Sequence, residues 1–99
     1  MAKVMFTISY GIKPERREEY LSLIRKIRDH LTGVEKKNYL VFEAKGKKNH
    51  FTEVFVTNSV EEFDALDDNQ DERVEDMLSE LEGMMDDGGK KYATMIEPI

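Results

Sequence analysis

The 99-residue sequence has no cysteine and no tryptophan. Without cysteine there is no disulfide, no thiolate zinc or iron–sulfur site and no thiol nucleophile. Histidine is nearly as scarce, with only His30 and His50, so a histidine-rich metal site is excluded as well. No apolar run approaches the roughly 20 residues with which a helix crosses a bilayer. The opening Met1-Ala2-Lys3-Val4-Met5 leads straight into an alternating strand, without the hydrophobic region of a signal peptide. A reduced, cytoplasmic setting with no membrane partner is the expectation. Also missing are a Ser-His-Asp set, a glycine-rich phosphate loop and a paired-carboxylate spacing, so neither a metal nor another cofactor is expected.

What is present is polar but periodic: 39% hydrophobic and 36% charged residues, too patterned for disorder. The length fits one domain over residues 1–99. The net charge of −6 is unevenly spread. Residues 1–60 carry twelve Lys/Arg against seven Asp/Glu, whereas residues 61–87 carry thirteen acids against Arg73 alone. The basic residues fall in short clusters rather than on one face, and the acidic stretch repels nucleic acid, so no nucleic-acid partner is expected. Asp67-Asp68-Asn69-Gln70-Asp71-Glu72 lacks the central glycine and distant bidentate Glu of a calcium loop, and reads as a solvated helix face.

Val4, Phe6, Ile8, Tyr10 and Ile12 alternate with Met5, Thr7 and Ser9, the period of a strand. Pro14 suits the first position of a helix over 14–32, where Tyr20, Leu23, Ile24, Ile27 and Leu31 share one face and Gly33 is the expected stop. Strands follow at 39–44 and 51–57, joined by a short turn that carries Gly46 and Asn49 and makes them an antiparallel hairpin. Ser59 with Glu62 is a capping box that opens a helix over 59–86. The polar residues between Leu66 and Val74 predict a kink or two helical pieces. Gly88-Gly89 ends the helix before a last strand over 92–97.

The order βαββαβ predicts an α+β, ferredoxin-like domain: a four-stranded antiparallel sheet with both helices on one face. Leu40 and Phe42 alternate with Tyr39 and Val41, and Val54 and Val56 with Phe51 and Phe55, so both faces of the hairpin are apolar. A bare apolar face is an association surface, and a homodimer through the sheet face is expected. The same order also builds RNA-recognition modules. Their strand pattern of basic, glycine and aromatic residues is not met by Phe-Thr-Glu-Val-Phe-Val-Thr at 51–57.

Two segments carry a family resemblance. Tyr10-Gly11-Ile12-Lys13-Pro14-Glu15-Arg16-Arg17-Glu18-Glu19-Tyr20-Leu21 resembles the strand end, Lys-Pro corner and aromatic-anchored helix of the antibiotic-biosynthesis-monooxygenase-like proteins, members of the dimeric α/β-barrel superfamily. The run from Val54 to Leu66 resembles their third strand and second helix start. Their usual Trp before the capping Ser and His on the following helix are Thr57 and Leu66 here. The resemblance implies a homodimeric α/β barrel. With those two replacements, the expectation is binding of a small hydrophobic molecule without an evident catalytic motif. The alternative is a cofactor-independent monooxygenase acting on an aromatic or polycyclic substrate.

Tyr10, Tyr39 and Tyr92 each lie on a strand and join an apolar ring to a polar tip, as a sheet–helix cavity wall would use them; packing is the plainer role. His50 opens the third strand, at a place that can border a pocket or simply belong to the hairpin. His30 reads as a structural residue near a helix C-terminus. Met77, Met84 and Met85 fit a pocket wall or, more simply, the core. Glu43 and Glu53 interrupt the hairpin strands; facing a dimer interior, they would pair with Lys or Arg or act as a base.

Overall fold

The alternation of Val4, Phe6, Ile8 and Tyr10 with Met5, Thr7 and Ser9 produces strand β1, Val4–Gly11, in a computed structural model that describes residues 2–65 and 72–98. β2 is Asn38–Glu43, β3 is His50–Thr57 and β4 is Lys91–Ile96. All neighbours are antiparallel, in the order β2-β3-β1-β4. β2 and β3 are joined as the expected hairpin, whose turn uses left-handed backbone at Gly46 (φ +86°) and Asn49 (φ 64°). The fold is α+β and ferredoxin-like, with the helices on one side of the sheet.

Pro14 opens a single 3-10 turn, Pro14–Arg16, which feeds helix α1, Arg17–Asp29. Tyr20, Leu23, Ile24 and Ile27 are buried on its inner face. The helix does not stop at Gly33. It widens into a π turn over His30–Val34, with Leu31 buried. The carbonyls of His30 and Leu31 accept the amides of Glu35 (3.1 Å) and Lys37 (2.8 Å), and the left-handed residue is Lys36, at φ 57°. The wider turn keeps Leu31 in the core while swinging Glu35 back toward His30.

The second helical region is described as α2, Val60–Asp64, and α3, Glu72–Glu82. Leu66 and the polar run to Asp71, where the sequence predicts a break, lie outside the described residues. At the start of α2 the Ser59 hydroxyl accepts the Glu62 amide (3.1 Å) and the Glu62 carboxylate accepts the Asn58 amide (3.0 Å), the two halves of a cap. α3 ends four residues before the expected 86, because the chain leaves the helix to bond the end of β1. Lys13 N–H donates to the Met84 carbonyl (3.0 Å), and Asp86 N–H to the Gly11 carbonyl (3.0 Å). A Cβ on Gly11 would stand 2.1 Å from an Asp86 carboxylate oxygen, so a side chain there would displace that carboxylate.

Register divides the sheet into two faces. Phe6, Ile8 and Tyr10 of β1, Tyr39 and Val41 of β2, and Phe51 and Phe55 of β3 point to the helices; all but Phe6, whose ring meets Phe55, Phe63 and Tyr92, join the core with Ile24, Ile27, Leu31, Val74 and Leu81. Each such side chain, fully buried, contributes about 1.5–3 kcal/mol of transfer free energy. The opposite face carries Met5, Leu40, Phe42, Val54, Val56 and Met95. Met5, Leu40, Phe42 and Met95 on this face are each at least 41% exposed.

One polar clamp ties α1 to the hairpin. Arg17 donates to both Glu43 carboxylate oxygens (2.6 and 2.9 Å) and to Asn49 Oδ1 (2.8 Å), while Asn49 N–H donates back to Glu43 (2.9 Å). Arg17 and the Asn49 amide hold the Glu43 carboxyl down at about 2, against a usual 4.5. A carboxyl depressed in the folded state stabilises the fold above its unfolded value and loses that contribution as pH falls through the folded one. From about pH 5 to about pH 2, the urea midpoint of the wild type should therefore fall toward that of Glu43→Gln, the two meeting at the acid end. Parallel curves would show that the clamp adds no pH-dependent stability.

Candidate functional site

Alternation along β3 sends residues 51, 53, 55 and 57 to the helix side, so a glutamate stands in a row otherwise made by Phe51, Phe55 and Thr57. Glu53 is only 3% exposed and lies opposite Ile8. Above it, between sheet and helices, is a cavity of about 120 Å³. Phe6, Ile8 and Phe55 line it from the strands, Ile27 and Leu31 from α1 and its π turn, and Val74 and Leu78 from α3. Its polar groups are Glu53, Glu35 and Lys37.

A buried carboxyl costs several kcal/mol unless hydrogen bonds replace its water. Three tyrosines gather around this one. Tyr39 donates its hydroxyl to Glu53 Oε1 at 2.5 Å, and the Tyr10 hydroxyl shares a 2.9 Å hydrogen bond with that of Tyr20. The rings interlock: Tyr10 meets Tyr20 edge-on at 6.0 Å, Tyr20 packs on Phe51 at 4.4 Å and Tyr39 on Phe55 at 4.8 Å. Burial pushes the Glu53 carboxyl up, opposed by the Tyr39 and Tyr10 hydroxyls and by the charge of Lys90. Burial, reinforced by the Glu53 charge, also drives all three tyrosines upward, so they remain protonated donors at neutral pH. The set accepts a hydrogen bond or a proton at Glu53 in an apolar chamber.

Glu35 holds Lys37 at 3.0 Å. His30 Nε2 lies 3.2 Å from the other Glu35 oxygen, at ion-pair distance but without hydrogen-bond alignment, which leaves that buried oxygen without a hydrogen bond. Among the described residues no group of three His, Asp or Glu side chains is arranged to hold a metal ion.

Of the four residues the sequence singles out, Tyr10 and Tyr39 come together at Glu53. His50 is half-buried at the start of β3, opposite Gly11, and its backbone closes the hairpin turn with Ala44 and Lys47. Tyr92 is 60% exposed on β4 and stacks on Phe6 at 6.0 Å, so it reaches the cavity only through that ring. Glu43 and Glu53 both point to the helix side rather than to the open face. Met84 is buried, with Met77 and Met85 packed beside it in the core. Thr57 is buried and donates to the Ser59 carbonyl at 3.1 Å. Tyr20, Glu35 and Lys37 are the site residues that sequence reasoning did not single out. For Glu53 the signal was its place as the one carboxylate among the inward apolar residues of β3.

No family model and no curated protein matches the sequence. Solved structures do. A conserved protein from Methanosarcina mazei superposes with a TM-score of 0.81 at 13% identity, over 98% of this chain and 94% of that one. SnoaB, a cofactor-independent oxygenase from Streptomyces nogalater, solved as a mutant, gives 0.75 at 9% identity over 98% and 94%. An antibiotic biosynthesis monooxygenase gives 0.73 at 17% identity over 96% of each chain. At such identities the likeness is one of fold. The chain thus has the ferredoxin-like α+β fold found in antibiotic-biosynthesis-monooxygenase-like proteins, as the runs Tyr10–Leu21 and Val54–Leu66 led us to expect.

Proposed function

We infer that this protein binds a small, largely apolar molecule in the cavity above Glu53, as a homodimer joined through the open sheet face. The observation that carries the reading is a chamber with apolar walls and one buried, hydrogen-bonded carboxyl, the usual composition of a small-molecule site. Its volume of about 120 Å³ sets the scale. An apolar cavity of about 150 Å³ holds one benzene ring, whereas drug-sized ligands occupy roughly 300 Å³ or more. The space is on the scale of a single ring, slightly under that benzene cavity, and well short of a fused polycycle. Leu78→Phe, which adds a ring to the wall, should abolish the rise in thermal midpoint that toluene gives the wild type. Equal rises in both proteins would place the ligand elsewhere.

A second reading, a cofactor-independent monooxygenase, is favoured by the fold shared with SnoaB and by the proton acceptor at the cavity floor. Its substrate would be a single-ring quinol rather than a polycycle. Oxygen uptake with a panel of such quinols in metal-stripped buffer separates the two readings: turnover supports the oxygenase, and binding without uptake supports the small-molecule-binding protein.

The dimer rests on the exposed row of Met5, Leu40, Phe42 and Met95. Stable interfaces bury roughly 1,200–2,000 Å² in total, and a twofold axis lets one face serve both copies. Leu40→Asp on the open face should give a folded monomer by light scattering at micromolar concentration. Val41→Asp on the helix side should lower stability by at least about 2 kcal/mol instead. A monodisperse wild-type monomer would end the dimer proposal.

A further inference from the structure

Resting on the reading that the cavity binds a small molecule, the geometry points to the chemical class of that molecule: a single apolar ring or its equivalent bearing an ammonium group, with the cation seated between the Glu53 carboxylate and the Phe6 and Phe55 rings. Three observations carry this. The first is the balance of hydrogen-bonding groups in the chamber. Its two carboxyls are Glu53 and Glu35, and its one cation, Lys37, is already held by Glu35 at 3.0 Å. A carboxylate offers about four lone-pair sites, of which the Tyr39 hydroxyl takes one and the Tyr10 hydroxyl engages a second. The capacity left for a ligand is therefore capacity to accept, which selects donors and turns away carboxylates and phosphates.

The second is the missing counter-charge. Among the described residues no Lys or Arg forms an ion pair with Glu53, and the nearby Lys90 is held by Glu82 at 2.8 Å. Burial is what pushes the Glu53 carboxyl up, and a cation bound beside it would oppose that push. The third is the aromatic wall. Phe6 and Phe55 both line the chamber, their ring centroids 6.3 Å apart and tilted by 36°. Aromatic faces attract cations within about 6 Å of the ring centroid and give a neutral donor less. Carboxylate and aromatic face together separate an ammonium from an alcohol of the same shape.

The test uses the full-length protein at about 0.3 M salt, where attraction of amines to its acidic surface is screened. Benzylamine, benzyl alcohol, toluene and benzoate are titrated by NMR, following Phe6, Phe55, Ile27 and Leu31. Benzylamine should bind at least about tenfold tighter than benzyl alcohol, equivalent to about 1.4 kcal/mol, and benzoate should not bind. In Glu53→Gln the amine and the alcohol should come within about twofold of each other while toluene still binds. If that variant does not fold, Phe55→Leu, which removes a ring and no charge, should weaken benzylamine about fivefold and benzyl alcohol less. Benzyl alcohol or toluene binding as tightly as benzylamine, or an unchanged preference in Glu53→Gln, would overturn the proposal and leave the cavity reading standing. Failure of every ring compound to shift the cavity residues would remove both.

Discussion

The hydrogen bond from Tyr39 to Glu53 is the constraint around which the interior is arranged. A carboxyl in the middle of β3, facing the helices, is tolerated only where protein donors replace its water. Tyr39 supplies one from β2, and Tyr10 reaches it from β1, so the residue that threatens the core is held by strands on both sides. Tyr20 extends the set onto α1 through Tyr10. Removing one hydroxyl would leave a buried acceptor unsatisfied, which costs more than the hydrogen bond is worth on balance. Polar groups joined in this way also fix the orientation of their rings, and here they set the floor of the chamber between sheet and helices.

The chamber follows from where the helices touch the sheet. α1 packs through Tyr20, Leu23, Ile24 and Ile27 against the sheet and α3, and α3 joins the same core through Val74 and Leu81. Ile27, Leu31, Val74 and Leu78 leave space over Phe6, Ile8 and Phe55. The π turn matters for this space: by winding wide over His30–Val34 it carries Glu35 and Lys37 to the cavity rim. Polar residues thus stand at the floor and at the rim of a site whose walls are apolar.

The open sheet face and the cavity are separate consequences of one strand pattern. Because β-strand side chains alternate, β3 presents Phe51, Glu53 and Phe55 to the helices and Thr52, Val54 and Val56 to the other side. Helices cover one face and none remains for the other. The cavity and the open apolar face therefore lie on opposite sides of the same strands, and Leu40 and Val41, neighbours in sequence, belong to different faces.

The succession of strands and helices, the hairpin, the helix faces and the Ser59 cap were legible in the sequence because each rests on periodicity or on contacts within a few residues. Alternation marks a strand, spacing of three and four marks a helix, and a capping box is closed by residues three apart. The two departures at helix ends were not local. Lys36 rather than Gly33 turns the chain because the carbonyls of the last turn are claimed by Glu35 and Lys37, and α3 ends early because Gly11 and Lys13, some seventy residues away in sequence, take its backbone partners. The site divides in the same way. Tyr10 and Tyr39 could be singled out for their chemistry, and Glu53 stood out as a carboxylate among apolar neighbours. That the three converge, while His50 and Tyr92 stand apart, depends on strand register and on which face the helices cover. Those are settled by the packing of the whole sheet, and no local stretch of sequence contains them.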